Sequence, residues 1–261
     1  MFLAEPDVKT PMTSAKHVVL TLGALAACLL CFELTPADVW LQEALYDESA
    51  RSWLWSGADE LARFVFYDGP KGLLILFAVC LALALVFIRR LPALAPYRSG
   101  MRIVLLSLLL VPAGVAGLKQ TNSVGCPRDL ALFGGEAAHA GLLAAFLPDS
   151  PQPLTQRPCF PAAHASGGFA LLSLFFLFKE RRNRVRALYL ALAAGWAMGG
   201  YKMMIGDHFL SHTIVSMLLA WLIINVVVIA EQKIFSFASS SFASARRTRR
   251  LMRSMSASAK S

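Results

Sequence analysis

Tyr201-Lys202-Met203-Met204-Ile205-Gly206-Asp207-His208-Phe209-Leu210-Ser211-His212 separates two apolar runs, residues 187–200 before it and residues 213–230 after it. About 20 apolar residues cross the hydrocarbon of a bilayer, so two such runs around a short polar stretch read as a membrane hairpin. The stretch carries a cation, a histidine six residues on, and a second histidine four residues later. Ionisable groups at the mouth of a membrane helix are expensive to bury and ask for a reason.

Composition agrees with a membrane setting. The 261 residues are 57% hydrophobic and only 16% charged, where a soluble domain carries about 25% charged residues. The formal net charge is +9. In a polytopic membrane protein that excess belongs to cytoplasmic loops, and it argues for no nucleic-acid partner. Cys28, Cys31 and Cys80 fall inside apolar runs and read as small packing residues.

Six spans follow from the apolar runs: residues 17–34, 72–88, 103–118, 162–178, 187–200 and 213–230. Residues 1–16 form a polar arm, and the first run is taken as a retained helix rather than a cleaved leader. Residues 36–70 are net acidic and rich in Trp and Phe. They suit an amphipathic helix on the interface or one packed on its own protein. Residues 231–261 are Ser/Ala-rich, with Arg246, Arg247, Arg249, Arg250 and Arg253. That tail reads as a basic flank, suited to an anionic inner leaflet.

One orientation satisfies every loop. With the N-terminus inside, the Arg-rich segments 89–102, 179–186 and the tail also fall inside, as the positive-inside rule requires. Segments 36–70, 119–161 and 201–212 fall outside. The expected architecture is an all-α bundle of six transmembrane helices with an interfacial helix and both termini cytoplasmic. It divides into an arm (1–16), a membrane domain (17–230) and a tail (231–261).

The remaining polar residues gather on the outer side: Lys119, Arg128, His164, Lys202, His208 and His212. Cations with two or more imidazoles suit phosphoryl chemistry. The cations stabilise phosphate oxygens, one imidazole attacks, and another protonates the leaving oxygen. Three stretches carry the pattern. They are Lys119-x6-Cys126-Pro127, then Pro161-Ala162-Ala163-His164, then Tyr201-Lys202-x5-His208-x3-His212. In order and spacing they resemble the motifs of the type 2 phosphatidic acid phosphatase superfamily, Lys-x6-Arg-Pro, Pro-Ser-Gly-His and Ser-Arg-x5-His-x3-Asp. Cys126 stands in place of Arg, Ala162 and Ala163 in place of Ser and Gly, Tyr201 and Lys202 in place of Ser and Arg, and His212 in place of Asp. The resemblance spans roughly residues 70–230.

The resemblance implies roles. His208 would attack phosphorus and become a phosphohistidine. His164 would protonate the leaving alkoxide and later activate water. Lys119 and Lys202 would bind phosphate oxygens, and Arg128 could take over from the missing Arg. His212 sits where a carboxylate orients the nucleophile; Asp207 and Asp129 are possible substitutes. The implied activity is cleavage of a phosphate ester or diphosphate on a membrane lipid, at the outer face of a bacterial inner membrane, with no metal or other cofactor. Transfer of the phosphoryl group to another lipid would use the same residues, and a non-catalytic lipid-binding or transport relative is the alternative from another class. The lipid and the oligomeric state are not legible. A metal pair at His208 and His212 would need a third ligand such as Asp129 or His139. Cys126 and Cys159, both outside and each beside a motif proline, are expected to form a disulfide. The segment 136–147 between them is expected to hold a short interfacial helix.

Overall fold

In a computed structural model the protein is described over residues 15–139, 141–143 and 158–258, with side chains to residue 234. It is mostly helical. The helices are α1 (Ala15–Leu34), α2 (Ala37–Leu45), α3 (Glu60–Val86), α4 (Pro92–Lys119), α5 (Ala163–Phe176), α6 (Arg181–Met204) and α7 (Leu210–Ser258). A two-stranded ribbon, β1 (Tyr46–Asp47) and β2 (Ser52–Trp53), follows α2.

Four stretches are long and apolar enough to cross a membrane: α1, α3, α4 and residues Leu210–Ile234 of α7. The chain therefore reads as a multi-pass membrane protein. α5 is apolar but shorter, and α6 has 24 residues but opens on Arg181, Arg182, Arg184 and Arg186. Only 6% of the most apolar window of α3 and 11% of that of α1 is buried, against 44% for α7. α4 to α7 thus form the core, and α1 and α3 lie outside it with apolar side chains turned outward. The core is dry: Val104 and Val111 of α4, Phe169 of α5, Ala191 of α6, and Ile224 and Val228 of α7 pack together fully buried.

Small residues set the closest approach in this core. A Cβ on Gly168 would stand 2.7 Å from the Gly195 backbone, so α5 and α6 touch main chain to main chain. Membrane helices use small residues this way because packing, not hydrophobic expulsion from water, holds them together. α3 contains a π-helical turn at Phe64–Asp68, just before Pro70. A proline ring clashes with the carbonyl four residues back, and the wider turn relieves that clash.

The two ends of the bundle differ in charge. At one end Arg102 pairs with the buried Glu231, which also accepts from the Ser99 hydroxyl at 3.1 Å. Arg184 donates to the Phe178 carbonyl at 2.7 Å there, and the Lys179 ammonium lies 5.1 Å from the Tyr97 ring centroid. Lys119, His164, Lys202 and His208 occupy the opposite end, at the termini of α4, α5, α6 and α7.

Two local expectations change, and one of two readings left open for residues 36–70 is favoured. α7 continues as helix through Ser258, beyond the span expected to stop at residue 230. The described part of segment 136–147 is a bridge at Ala137 and a turn, not a helix; the rest of that segment lies outside the described residues. α2 packs on its own protein: Asp38 and Gln42 are buried while Trp40 faces outward.

Arg102→Ala should lower the melting temperature in detergent more than Glu231→Gln does, because it strands a buried carboxylate. Water screening at Arg102, 36% exposed, limits the loss to about 1–3 kcal/mol. Thermal unfolding of the two variants by circular dichroism provides the check.

Candidate active site

The site is built where four helix ends meet, and the ends are satisfied by one another. α6 closes with Gly206 in the left-handed region (φ +74°), whose N–H reaches the Met203 carbonyl at 3.0 Å. Glycine is needed twice over: L side chains disfavour that φ, and a Cβ there would run into the Trp53 ring. The turn places the Asp207 and His208 N–H groups on the Lys202 carbonyl, at 2.8 and 3.2 Å. His208 therefore precedes α7 rather than lying on it.

Cross-links then join the three motifs. The Arg128 N–H donates to the Gly206 carbonyl (3.0 Å), and the Ala162 N–H donates to the His212 carbonyl (3.1 Å). The Cys159 N–H donates to the Val124 carbonyl (2.8 Å), and the Asn122 amide donates to the Phe160 carbonyl (2.9 Å). Cys126 and Cys159 form the expected disulfide, with Cα atoms 5.2 Å apart. Their sulfurs lie within 4.8 Å of an Asp129 carboxylate oxygen, but bonded to each other they offer no thiolate to a metal.

His208 sits at the centre. It is 2% exposed, and its ring centroid is 5.6 Å from that of His212 and 6.1 Å from that of His164. The Nδ1 atoms of His208 and His212 face each other at 3.4 Å. Phe160 and Phe209 stack edge-on against His212, at 5.3 and 5.4 Å. Burial holds the His208 imidazole well below its ordinary pKa, and His212, Lys119, His164 and Lys202 push in the same direction. The ring is thus neutral at neutral pH, with a free lone pair.

The structure brings His208, His212, His164, Lys119 and Lys202 to one end of the bundle, and turns the two candidate orienting carboxylates toward cations. Asp207 is held between Lys202 (2.7 Å) and Arg128 (2.5 Å). Asp129 faces Arg128 at 3.9 Å. His139 lies 6.1 Å from the Phe209 ring, and among the described residues no metal-spaced trio includes His208 or His212.

Two positioning residues were not foreseen. Gln42 donates to the His208 carbonyl at 2.9 Å, and Asp38 accepts the Ser211 N–H at 2.8 Å. Asp38 thereby caps the start of α7 from another helix. Burial raises its pKa above the usual carboxylate range, and the Ser211 hydrogen bonds pull the other way. The signal was present as Asp38 and Gln42 four residues apart, on one face of a short helix. Tyr67 was missed as well. Its ring is T-shaped against His164 at 4.6 Å, and the Lys202 ammonium lies 5.0 Å from its centroid.

A family model described as the PAP2 superfamily matches residues 100–236, just over half of the 261-residue chain. The chain belongs to the PAP2 superfamily. No curated protein and no solved structure matches it. PAP2 proteins commonly hydrolyse phosphate esters, which supports a phosphatase-like membrane enzyme in general. The matched segment contains all three motifs with their departures: Cys126, Ala162, Ala163, Tyr201, Lys202 and His212 stand in a PAP2 chain.

Non-reduced, denatured protein should take up three alkyl groups, at Cys28, Cys31 and Cys80, and five after reduction; mass spectrometry reads the difference. The bridge spans 33 positions, so replacing both bridged cysteines by serine should remove about 3–4 kcal/mol of stability.

Proposed function

We propose that the chain is a lipid phosphatase working through a phosphohistidine at His208. The observation that carries this reading is the buried His208 ring, with His212 on one side, His164 6.1 Å away, and the charges of Lys119 and Lys202 acting on it.

His208 attacks phosphorus through Nε2. For that nitrogen to hold the lone pair, the ring proton must sit on Nδ1, and the His212 Nδ1 at 3.4 Å is the acceptor that keeps it there. The anionic phosphate offsets the charges of Lys119 and Lys202, so His164 carries a proton in the substrate complex, and the bond from phosphorus to the leaving oxygen breaks as His164 gives that oxygen its proton. His164, now neutral, takes a proton from water, and the hydroxide breaks the nitrogen–phosphorus bond. Phosphate leaves and both imidazoles return to their starting state. Lys119 and Lys202 hold the non-bridging oxygens through both steps. Lys202 is paired with Asp207 before substrate binds, so phosphate must share or displace that carboxylate. Arg128, on the other oxygen of Asp207, anchors the carboxylate rather than replacing the missing arginine directly.

The membrane arrangement is part of the proposal: six spans, both termini cytoplasmic and the site at the outer face of a bacterial inner membrane. Arg102, Lys179 and Arg184 at the end opposite the site support that orientation. A site at headgroup depth between apolar helices favours a phosphorylated lipid as substrate.

Purified protein in detergent micelles should release phosphate from lipid phosphates, and His208→Ala or His164→Ala should reduce release at least about 1000-fold. Unchanged release in both variants would sink the mechanism. His212→Ala should lower kcat roughly 100-fold with KM little changed, because it disturbs orientation rather than binding. Because the His208 pKa is depressed, the nucleophile stays neutral as pH falls through about 6.5, the ordinary imidazole value. The acid limb of kcat/KM should therefore lie below pH 6.5, and a midpoint at or above that value would contradict it.

A further inference from the structure

Lys71 opens the apolar part of α3 at the same end of the bundle as the site, and no sequence motif includes it. Its side chain is exposed, and its ammonium lies 5.9 Å from the Tyr67 ring centroid. That ring is the one that stacks on His164 at 4.6 Å and carries Lys202 at 5.0 Å. Tyr67 thus stands between His164 and two lysines.

The lysines differ in what they face. Lys202 is paired with Asp207 at 2.7 Å. Among the described residues no acidic side chain forms an ion pair with Lys71. They also differ in place. Lys71 reaches the site over the Tyr67 ring, the ring that stacks on His164, and so stands on the His164 side.

Direction matters in a phosphoryl displacement. The leaving oxygen departs opposite the attacking nitrogen, toward the group that protonates it. Whatever is attached to that oxygen comes to lie beyond His164. An alcohol there would give an unpaired ammonium nothing to bind. A second phosphoryl group would.

We propose that Lys71 is a specificity-determining residue that binds an anionic leaving group, so that the preferred substrate is a lipid diphosphate rather than a lipid monophosphate. This rests on the reading of His208 as nucleophile and His164 as acid. His208 attacks the terminal phosphorus, and the bond from that phosphorus to the bridging oxygen breaks. The bridging oxygen takes the proton of His164 and leaves as part of a lipid monophosphate, whose charge Lys71 holds. Water then releases the terminal phosphoryl group from His208 as inorganic phosphate. The long stem of lysine lets the ammonium sit at the interface while its methylenes cover apolar surface, which is where a diphosphate headgroup would lie.

The test uses the full-length protein in detergent micelles, with farnesyl diphosphate and farnesyl monophosphate as probes. The ratio of kcat/KM for the diphosphate over the monophosphate should fall about tenfold in Lys71→Ala, the weight of one partly solvated charge pair. The change should enter mainly through KM for the diphosphate, and Lys71→Arg should restore most of the ratio. A ratio unchanged within twofold overturns the proposal and leaves Lys71 as an interfacial cation. A second measurement needs no turnover: calorimetric binding of inorganic pyrophosphate and of inorganic phosphate to the His208→Ala protein. Adding Lys71→Ala should weaken pyrophosphate relative to phosphate by a similar factor, and equal weakening of both overturns the proposal. Absence of turnover on both farnesyl substrates would defeat the phosphatase reading, while the binding comparison would still decide the role of Lys71.

Discussion

Helix ends leave backbone groups without partners, and where those groups are buried from water they are too costly to leave bare. In this chain the ends satisfy one another across elements. The N–H of Arg128 reaches Gly206, that of Ala162 reaches His212, and that of Ser211 reaches Asp38. Each of these hydrogen bonds joins a different pair of segments, and together they leave His208 little freedom. The Gln42 amide on the His208 carbonyl completes the frame. The placement of His208 thus follows from how these segments hold one another, and the Cys126–Cys159 bridge holds two of the contributing loops to each other.

Charge in the site is arranged asymmetrically. His212, Lys119, His164 and Lys202 all disfavour a proton on His208. The carboxylate of Asp207 is spent on Lys202 and Arg128. A neutral, unprotonated nucleophile follows from that balance. The same balance suits the proposed binding of phosphate by Lys119 and Lys202. The replacement of the family's aspartate by His212 fits the same logic. A second imidazole can accept the Nδ1 proton without adding a negative charge that would compete with the substrate. The departure at Cys126 has a counterpart too: where the family carries a cation, this chain carries a covalent tie.

Much of the fold was legible in the chain. Apolar runs mark helices because a bilayer admits only segments that satisfy their own backbone, and the spacing of Lys119, His164, Lys202 and His208 marked the end at which chemistry could gather. The disulfide was legible because both cysteines flank motif prolines on one side of the membrane. Less legible was anything that depended on a partner from elsewhere in the chain. Asp38 and Gln42 lie more than 160 positions from the groups they hold. Asp207 is next to His208 in sequence yet turns to Lys202 and Arg128, because the left-handed turn at Gly206 directs it there. The basic tail, composed of weakly apolar residues, gave no sign that α7 would run on through Ser258.

By itself the sequence determined that this is a membrane-embedded helical protein with a phosphatase family's residues on one side, because hydropathy and motif spacing are local properties that survive without coordinates. Only the tertiary structure decided which residues meet. It set His212 rather than a carboxylate beside His208, put α2 against the His208 main chain, and placed Tyr67 beside His164 with Lys71 over the Tyr67 ring. Those contacts depend on how helix ends turn and cap one another in three dimensions, and no periodicity along the chain records that.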